Sequence, residues 1–168
     1  PAPGLADEVL EVDGGDASPD TRRTYGEALL AAGRAAEAEP VFRQALGAGA
    51  GVAARVGLAR SLRVLDRVAD AEATYLEAVE VLPSYAPAAL GLAELRWEAG
   101  RRDEAIQTLI AFLDLDPGHV EGLVRLGCWL QETGREKHAA RALDRALHLD
   151  PSNRRARQLL DRFRGGGG

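Results

Sequence analysis

The segment GCWLQETGREKHAARALDRALHLDP, Gly127 to Pro151, decides the fold because it contains most of a helical hairpin that the chain repeats. Apolar residues recur at helical spacing within it and just before it, first as Leu123, Leu126, Gly127 and Leu130 and then as Ala139, Leu143 and Ala146. A spacing of three and four residues places such side chains on one face of an α-helix. Gly134 separates the two runs and suits the left-handed backbone that ends a helix. The segment therefore predicts two antiparallel helices joined by a short turn.

The turn at Gly134 is one of four similar turns in the chain. They read GRAAEA, DRVADA, GRRDEA and GREKHA, and they begin at Gly33, Asp66, Gly100 and Gly134, at intervals of 33, 34 and 34 residues. The apolar stripes recur with the turns, as Tyr25, Gly26, Leu29, Ala38, Phe42 and Ala45, then as Leu58, Ala59, Leu62, Ala71, Tyr75 and Ala78, and then as Leu92, Ala93, Ala105, Leu109 and Phe112. A period of this length predicts stacked helical units that bury one continuous core.

Prolines form a second set of markers between these turns. Pro83, Pro117 and Pro151 are each separated by 34 residues. Proline ends one helix and permits the next to begin, so each period contains two helices of about 12–14 residues. We expect the small residues of the first helices to face alanines of the second helices and to let the pairs approach closely; the first set is Gly26, Ala59, Ala93 and Gly127, and the second is Ala38, Ala71, Ala105 and Ala139.

This combination resembles the tetratricopeptide repeat, a 34-residue helix–turn–helix with a Leu–small pair in its first helix and Ala, an aromatic or Leu, Ala and then Pro in its second. The resemblance covers Pro19 to Pro151 in four copies. The chain departs from the pattern at Arg96, at Phe112, in the absence of an early tryptophan in each first helix, and in a short first repeat that ends at GAGAG. The resemblance implies an all-α fold, a right-handed α-solenoid of antiparallel helix pairs.

The predicted organisation has four parts. Residues 1–18 form an acidic N-terminal extension or the remnant of an upstream repeat, with Leu5, Val9, Leu10 and Val12 as its apolar side chains. Residues 19–151 form the four repeats, divided at about 19–51, 52–85, 86–119 and 120–151. Residues 152–164 form a capping helix with the stripe Ala156, Leu159, Leu160 and Phe163, and residues 165–168 form a glycine tail.

Composition and charge restrict the classes of function. The net charge of −5 argues against a nucleic-acid binder, which needs a basic face to displace phosphate counterions. No apolar run approaches the roughly 20 residues that cross a bilayer, so direct membrane insertion is not expected. One cysteine forms no internal disulfide, and the redox state of the compartment is therefore not readable from the sequence.

Cys128, His138 and His148 raise the question of a metal site or a thiol active site. Cys128 and His138 lie on opposite sides of the predicted turn, and His138 and His148 point about 80° apart on one helix, nearly three turns from each other. These residues do not converge, and no paired metal-ligand or nucleophile motif accompanies them. We expect no enzymatic activity, no catalytic residue, no metal and no cofactor.

The resemblance implies a protein-interaction scaffold in which the first helices of the repeats line a concave groove. Projection from the core face assigns eleven residues to this groove: Arg23, Glu27, Val56, Arg60, Arg63, Leu90, Glu94, Trp97, Val124, Cys128 and Gln131. Leu30 lies on the same side, and Glu121, Arg125 and Glu132 lie at its margin. Such a surface favours a protein or peptide with apolar anchors and acidic residues, because tryptophan and arginine are frequent interface hot spots. For Trp97, packing against the neighbouring repeat is the competing interpretation.

Two further interpretations stay open. The chain is alternatively a structural segment of a larger solenoid or of a multi-subunit, membrane-associated assembly, which would use convex or terminal surfaces. In addition, an acidic front and a basic capping helix leave head-to-tail self-association open.

Overall fold

A computed structural model describes residues 17–165, and every regular element in this part of the chain is an α-helix. In chain order the helices are α1 (Pro19–Ala31), α2 (Ala35–Gly47), α3 (Val52–Val64), α4 (Val68–Val81), α5 (Ala86–Glu98), α6 (Arg102–Leu115), α7 (Val120–Glu132), α8 (Glu136–Leu149) and α9 (Arg154–Gly165). The predicted acidic extension falls outside the described residues as far as residue 16. Where one repeat ends and the next begins stays a prediction.

The four predicted turns have the expected left-handed backbone. The φ angles are 76° at Gly33, 59° at Asp66, 77° at Gly100 and 74° at Gly134. Asp66 is the only non-glycine residue with positive φ in the described part of the chain, in keeping with the tolerance of aspartate for this region. Each turn is followed by an arginine that occupies the N-cap position of the next helix.

The first three of these N-cap arginines pair with acidic residues in the first helical turn that follows. Arg34 donates two hydrogen bonds to the carboxylate of Glu37 at 2.7 and 2.8 Å, and Arg67 donates to Asp70 at 2.6 and 2.9 Å. Carboxylates in the first turn also interact favourably with the helix dipole. The repeated Gly-Arg or Asp-Arg motif therefore positions both the end of one helix and the start of the next.

The core consists of the stripes predicted for the paired helices. The side chains of Phe42, Tyr75, Leu109 and Leu143, which occupy equivalent places in the second helices, are essentially inaccessible to solvent. The small residues of the first helices leave space mainly for these large side chains and less for the facing alanines. A methyl group on Gly26 would lie 2.8 Å from Phe42 Cζ, and one on Gly127 would lie 2.6 Å from Leu143 Cγ but 3.4 Å from the carbonyl oxygen of Ala139.

Two departures from the repeat pattern lie against polar neighbours. The guanidinium of Arg96, where other repeats have leucine, donates to Thr108 Oγ1 at 2.9 Å and lies 3.9 Å from a Glu104 oxygen. The buried ring of Phe112 meets the ring of His119 edge-on, with a centroid separation of 5.1 Å.

The described residues form two compact units, one up to Gly91 and the other from Leu92, so that the boundary falls inside α5. In the first unit α1 packs on α2, α2 on α3, and α3 on α4. In the second unit α6 packs on α7, α7 on α8, and α8 on α9, whose Ala156, Leu159 and Leu160 are buried as a capping stripe requires. The side chain of Phe163, predicted to extend that stripe, falls outside the described part.

Candidate protein-interaction surface

In the first unit, the predicted surface centres on an ion pair between two first helices. Arg60 of α3 donates to a Glu27 oxygen of α1 at 2.9 Å, and the two side chains are 49 % and 34 % exposed. Arg23, one turn before Glu27, is partly covered and lies 3.5 Å from an Asp20 oxygen. Exposed ion pairs contribute only about 0–1 kcal/mol, so a ligand carboxylate is able to replace Glu27 at little energetic cost.

In the second unit, Arg125 of α7 is the centre of a similar charge arrangement. Its guanidinium pairs with Glu94 of α5 and donates to Glu121 at 2.8 Å. Burial, and next the positive charge of Arg155 on α9, lower the pKa of Arg125. The cap helix therefore contributes a cation beside the first helices. Sequence reasoning had placed Arg125 at the margin and had not assigned Arg155 to this surface.

Trp97 is packed against the neighbouring helices of its own unit. Its ring stacks on Trp129 of α7 with a centroid separation of 4.5 Å and an angle of 4°, and the guanidinium of Arg102 lies 4.3 Å from the Trp97 centroid. Trp129 is buried, whereas Trp97 is half-buried. The ring therefore packs on the neighbouring repeat, while part of it still faces solvent, and a role of Trp97 in binding stays a prediction. Sequence projection missed both Trp129 and Arg102.

Two of the eleven predicted surface residues are buried. Val56 is 4 % exposed and Val124 is 5 % exposed, so neither is available as an apolar anchor, contrary to the sequence-based assignment. The other nine residues retain solvent exposure: Arg60 is exposed, and Arg23, Glu27, Arg63, Leu90, Glu94, Trp97, Cys128 and Gln131 are half-buried.

Cys128 lies on this surface as a poor nucleophile. Burial raises the pKa of the Cys128 thiol, and the neighbouring Glu132 carboxylate, 3.5 Å from Sγ, raises it further, while Arg155 acts in the opposite direction. Because the thiolate is the reactive form, this environment disfavours thiol chemistry.

The histidines occupy separate structural positions. His119 is the N-cap of α7, where its Nδ1 accepts a hydrogen bond from the Gly122 amide at 3.0 Å. His138 and His148 lie on the exposed side of α8. Among residues 17–165 no group of three or more His, Cys, Asp and Glu side chains is arranged to hold a metal ion. Over the same residues no helix has both the length and the apolar character to span a bilayer.

Comparison with known proteins identifies the class to which this architecture belongs. The family model of the tetratricopeptide repeat matches residues 23–89 and 90–154. These matches cover well over half of the chain, and the chain therefore belongs to the tetratricopeptide repeat family. The helices and the family match confirm the all-α, helical repeat class that the sequence predicted.

Solved structures share the fold at low sequence identity. YrrB, described as a TPR protein with an unusual peptide-binding site, is 23 % identical, with 91 % of this chain and 78 % of that chain covered and a TM-score of 0.67. MamA is 16 % identical over 90 % of this chain and 97 % of its own, with a TM-score of 0.73. The thermophilic TPR protein TTC0263 of Thermus thermophilus is 20 % identical over 94 % and 86 %, with a TM-score of 0.74. The comparison with curated proteins gave no match.

Proteins of this family are generally protein–protein interaction modules and non-enzymatic scaffolds that bind protein or peptide partners. Family membership therefore supports the predicted interaction role in its general form.

Proposed function

We propose that this chain is an interaction scaffold that binds a peptide or helix of a partner protein on the face of its first helices. The observation that carries the proposal is that charged side chains of successive first helices pair with one another, as Arg60 does with Glu27 and Arg125 with Glu94, and that Arg60 stays 49 % exposed in its pair. Such pairs keep arginine side chains extended along the surface. An acidic ligand is able to exchange with the internal carboxylates.

The chemistry of this face favours a ligand with acidic residues and apolar anchors. Arg60 supplies an accessible guanidinium in the first unit, and the exposed Arg155 supplies a cation near Arg125 in the second. The half-buried ring of Trp97 and the half-buried Leu90 supply apolar area. Arginine forms bidentate hydrogen bonds with carboxylates, which adds geometric specificity to the attraction. The description of YrrB as a peptide-binding TPR protein is consistent with this proposal.

Selection of peptides on the full chain tests the proposal without knowledge of the natural partner. Twelve-residue peptides selected from a random library are measured by fluorescence anisotropy against the parent and against Arg60→Glu. We expect acidic peptides to be enriched and Arg60→Glu to weaken their binding by about tenfold or more, corresponding to ~1.4 kcal/mol.

Arg43→Glu provides the matched control, because Arg43 lies on a second helix, also pairs with a glutamate and has a similar exposure of 53 %. The proposal fails if the control weakens binding as much as Arg60→Glu, or if no acidic peptide is enriched. For the second unit, Trp129→Phe leaves Trp97 as the single tryptophan, whose emission should change on binding. An unchanged emission at saturation would show that the ligand avoids Trp97.

A further inference from the structure

The second helices of the repeats in the second unit, α6 and α8, carry another surface, separate from the first-helix face. An open groove of about 560 Å³ lies between α6 and α8, and α7 forms its floor. Its apolar wall includes Ile106, Ile110 and Leu113 of α6, of which Ile110 is 43 % exposed. None of these residues belongs to the first-helix face described above. We call this surface the outer groove.

Positive charge lines the α8 side of the outer groove. Arg135, Arg141 and Arg145 all contribute to its wall. Arg135 pairs with Asp103. Arg141 and Arg145 are both exposed. Two arginines beside an apolar channel specify an occupant that combines acidic and apolar side chains.

The chain itself contains a segment of this chemistry outside the described residues. The acidic segment, residues 1–16, holds Asp7, Glu8, Glu11, Asp13 and Asp16 and no Lys or Arg. The chain has 26 Asp and Glu against 21 Lys and Arg, so without these five acids its charges balance, and the whole excess of −5 belongs to this segment. Conversely, residues 134–164 hold nine basic and four acidic residues, a net charge of +5.

The apolar residues of the acidic segment are also spaced to fit a groove between two helices. Leu5, Val9 and Val12 are separated by four and three residues, the spacing of one helical face. Eight residues of helix are about 12 Å long, and each 14-residue wall helix is about 21 Å long. An amphipathic helix that places its apolar face in a groove is a common recognition mode.

We infer that the outer groove binds the acidic segment of a second copy of this chain, and that the chain thereby self-associates head to tail. The association is heterologous, because the segment of one copy meets the groove of the next, and it therefore permits chains of more than two copies.

A labelled synthetic peptide of residues 1–16, titrated with the full chain, measures the contact directly. We expect saturable binding at 50 mM NaCl that weakens by about tenfold or more at 500 mM, because salt screens exposed charges. Arg141→Glu combined with Arg145→Glu should weaken it by a similar factor. The matched control, Arg154→Glu with Arg162→Glu, reverses two exposed α9 arginines outside the groove and should change binding less than twofold.

Sedimentation equilibrium of the unlabelled full chain tests whether the contact joins two copies. We expect the average mass of the parent and of the control to rise with concentration at low salt. The average mass of the Arg141→Glu/Arg145→Glu variant should stay that of a monomer. Circular dichroism of this variant checks that it is folded. A monomeric parent at every concentration overturns the inference, since the segment would then dock within its own chain or nowhere. Association that survives in the groove variant overturns it too. Loss of peptide binding in Arg60→Glu would instead indicate that the segment binds to the first-helix face. That result would contradict this inference but not the proposed function.

Discussion

Replacing Gly57 with alanine tests how tightly adjacent helix pairs are packed in the first unit. The added methyl carbon would lie 2.2 Å from Cε1 and 2.4 Å from Cζ of Phe42. Phe42 is fully buried, and a methyl group on Gly26 would meet the same ring at 2.8 Å. Relief of the new contact therefore requires α3 and the ring of Phe42 to separate by roughly 1.3–1.8 Å, since ordinary carbon contacts are near 3.5–4.0 Å.

The size of the effect follows from two opposing terms. Overpacking a well-filled core costs roughly 1–3 kcal/mol. Alanine is favoured over glycine in a helix by about 1 kcal/mol, which offsets part of that loss. Because the clash here is severe, we expect the upper part of the range and a net decrease of about 1–2 kcal/mol in the free energy of unfolding. For a chain of this length, that corresponds to a melting temperature lower by roughly 2–8 °C.

Urea unfolding followed by circular dichroism at 222 nm measures this change. Gly47→Ala is the matched control, since Gly47 is also helical but a methyl group there would meet nothing within 4 Å, and it should be neutral or slightly stabilising. Phe42→Leu should recover part of the loss when it is combined with Gly57→Ala, because leucine lacks the ring atoms that clash. Equal stabilities for Gly57→Ala and Gly47→Ala would refute the packing argument.

Three further predictions concern single side chains. His119→Ala should lower the free energy of unfolding by about 1 kcal/mol through loss of the α7 N-cap, whereas His138→Ala should leave it nearly unchanged in the same urea titration. Alkylation of native Cys128 should accelerate only at a higher pH than that of a free thiol, because burial raises its pKa, and equal pH profiles before and after unfolding in urea would contradict this. Hydrogen bonds from Arg43, and then from Arg67, lower the pKa of Glu39 below its ordinary value of 4.5. The ionised Glu39 therefore stabilises the folded state above pH 4.5, and this contribution is lost as the pH falls through the lowered pKa. The difference in free energy of unfolding between the parent and Glu39→Gln should therefore shrink on acidification. A constant difference from pH 7 to pH 3 would contradict the stabilising role of the Glu39 carboxylate.

Much of the candidate surface could be predicted from the sequence, because the repeat fixes which face of each first helix carries the core stripe and which face does not. Glu27, Arg60, Glu94 and Cys128 occupy equivalent positions in successive first helices, and all retain solvent exposure. Val56 and Val124 were assigned wrongly, because a helical projection gives direction but not the depth at which neighbouring helices cover a side chain. Whether the exposed residues bind a partner stays a prediction.

Gly57 and Gly91 are paired with large aromatic residues, a relation that is present in the sequence but that the spacing of apolar residues did not reveal. Each glycine lies against the aromatic residue of the preceding second helix, Phe42 or Tyr75. In the next period the aromatic becomes Leu109, and the position equivalent to glycine becomes Arg125. A comparison of equivalent positions across the repeats would have linked the large residue to the missing side chain.

By itself, the sequence determined the helices, their turns and the stripes that form the core. These depend on local backbone preferences and on a period of three to four residues, both of which are visible along one dimension. Only the tertiary structure decided that Trp97 stacks on Trp129, that Arg125 joins Glu94 to Glu121, and that α6 and α8 leave an outer groove. Those features depend on distances between helices that are far apart in the chain, and such distances are set by how whole side-chain volumes pack together.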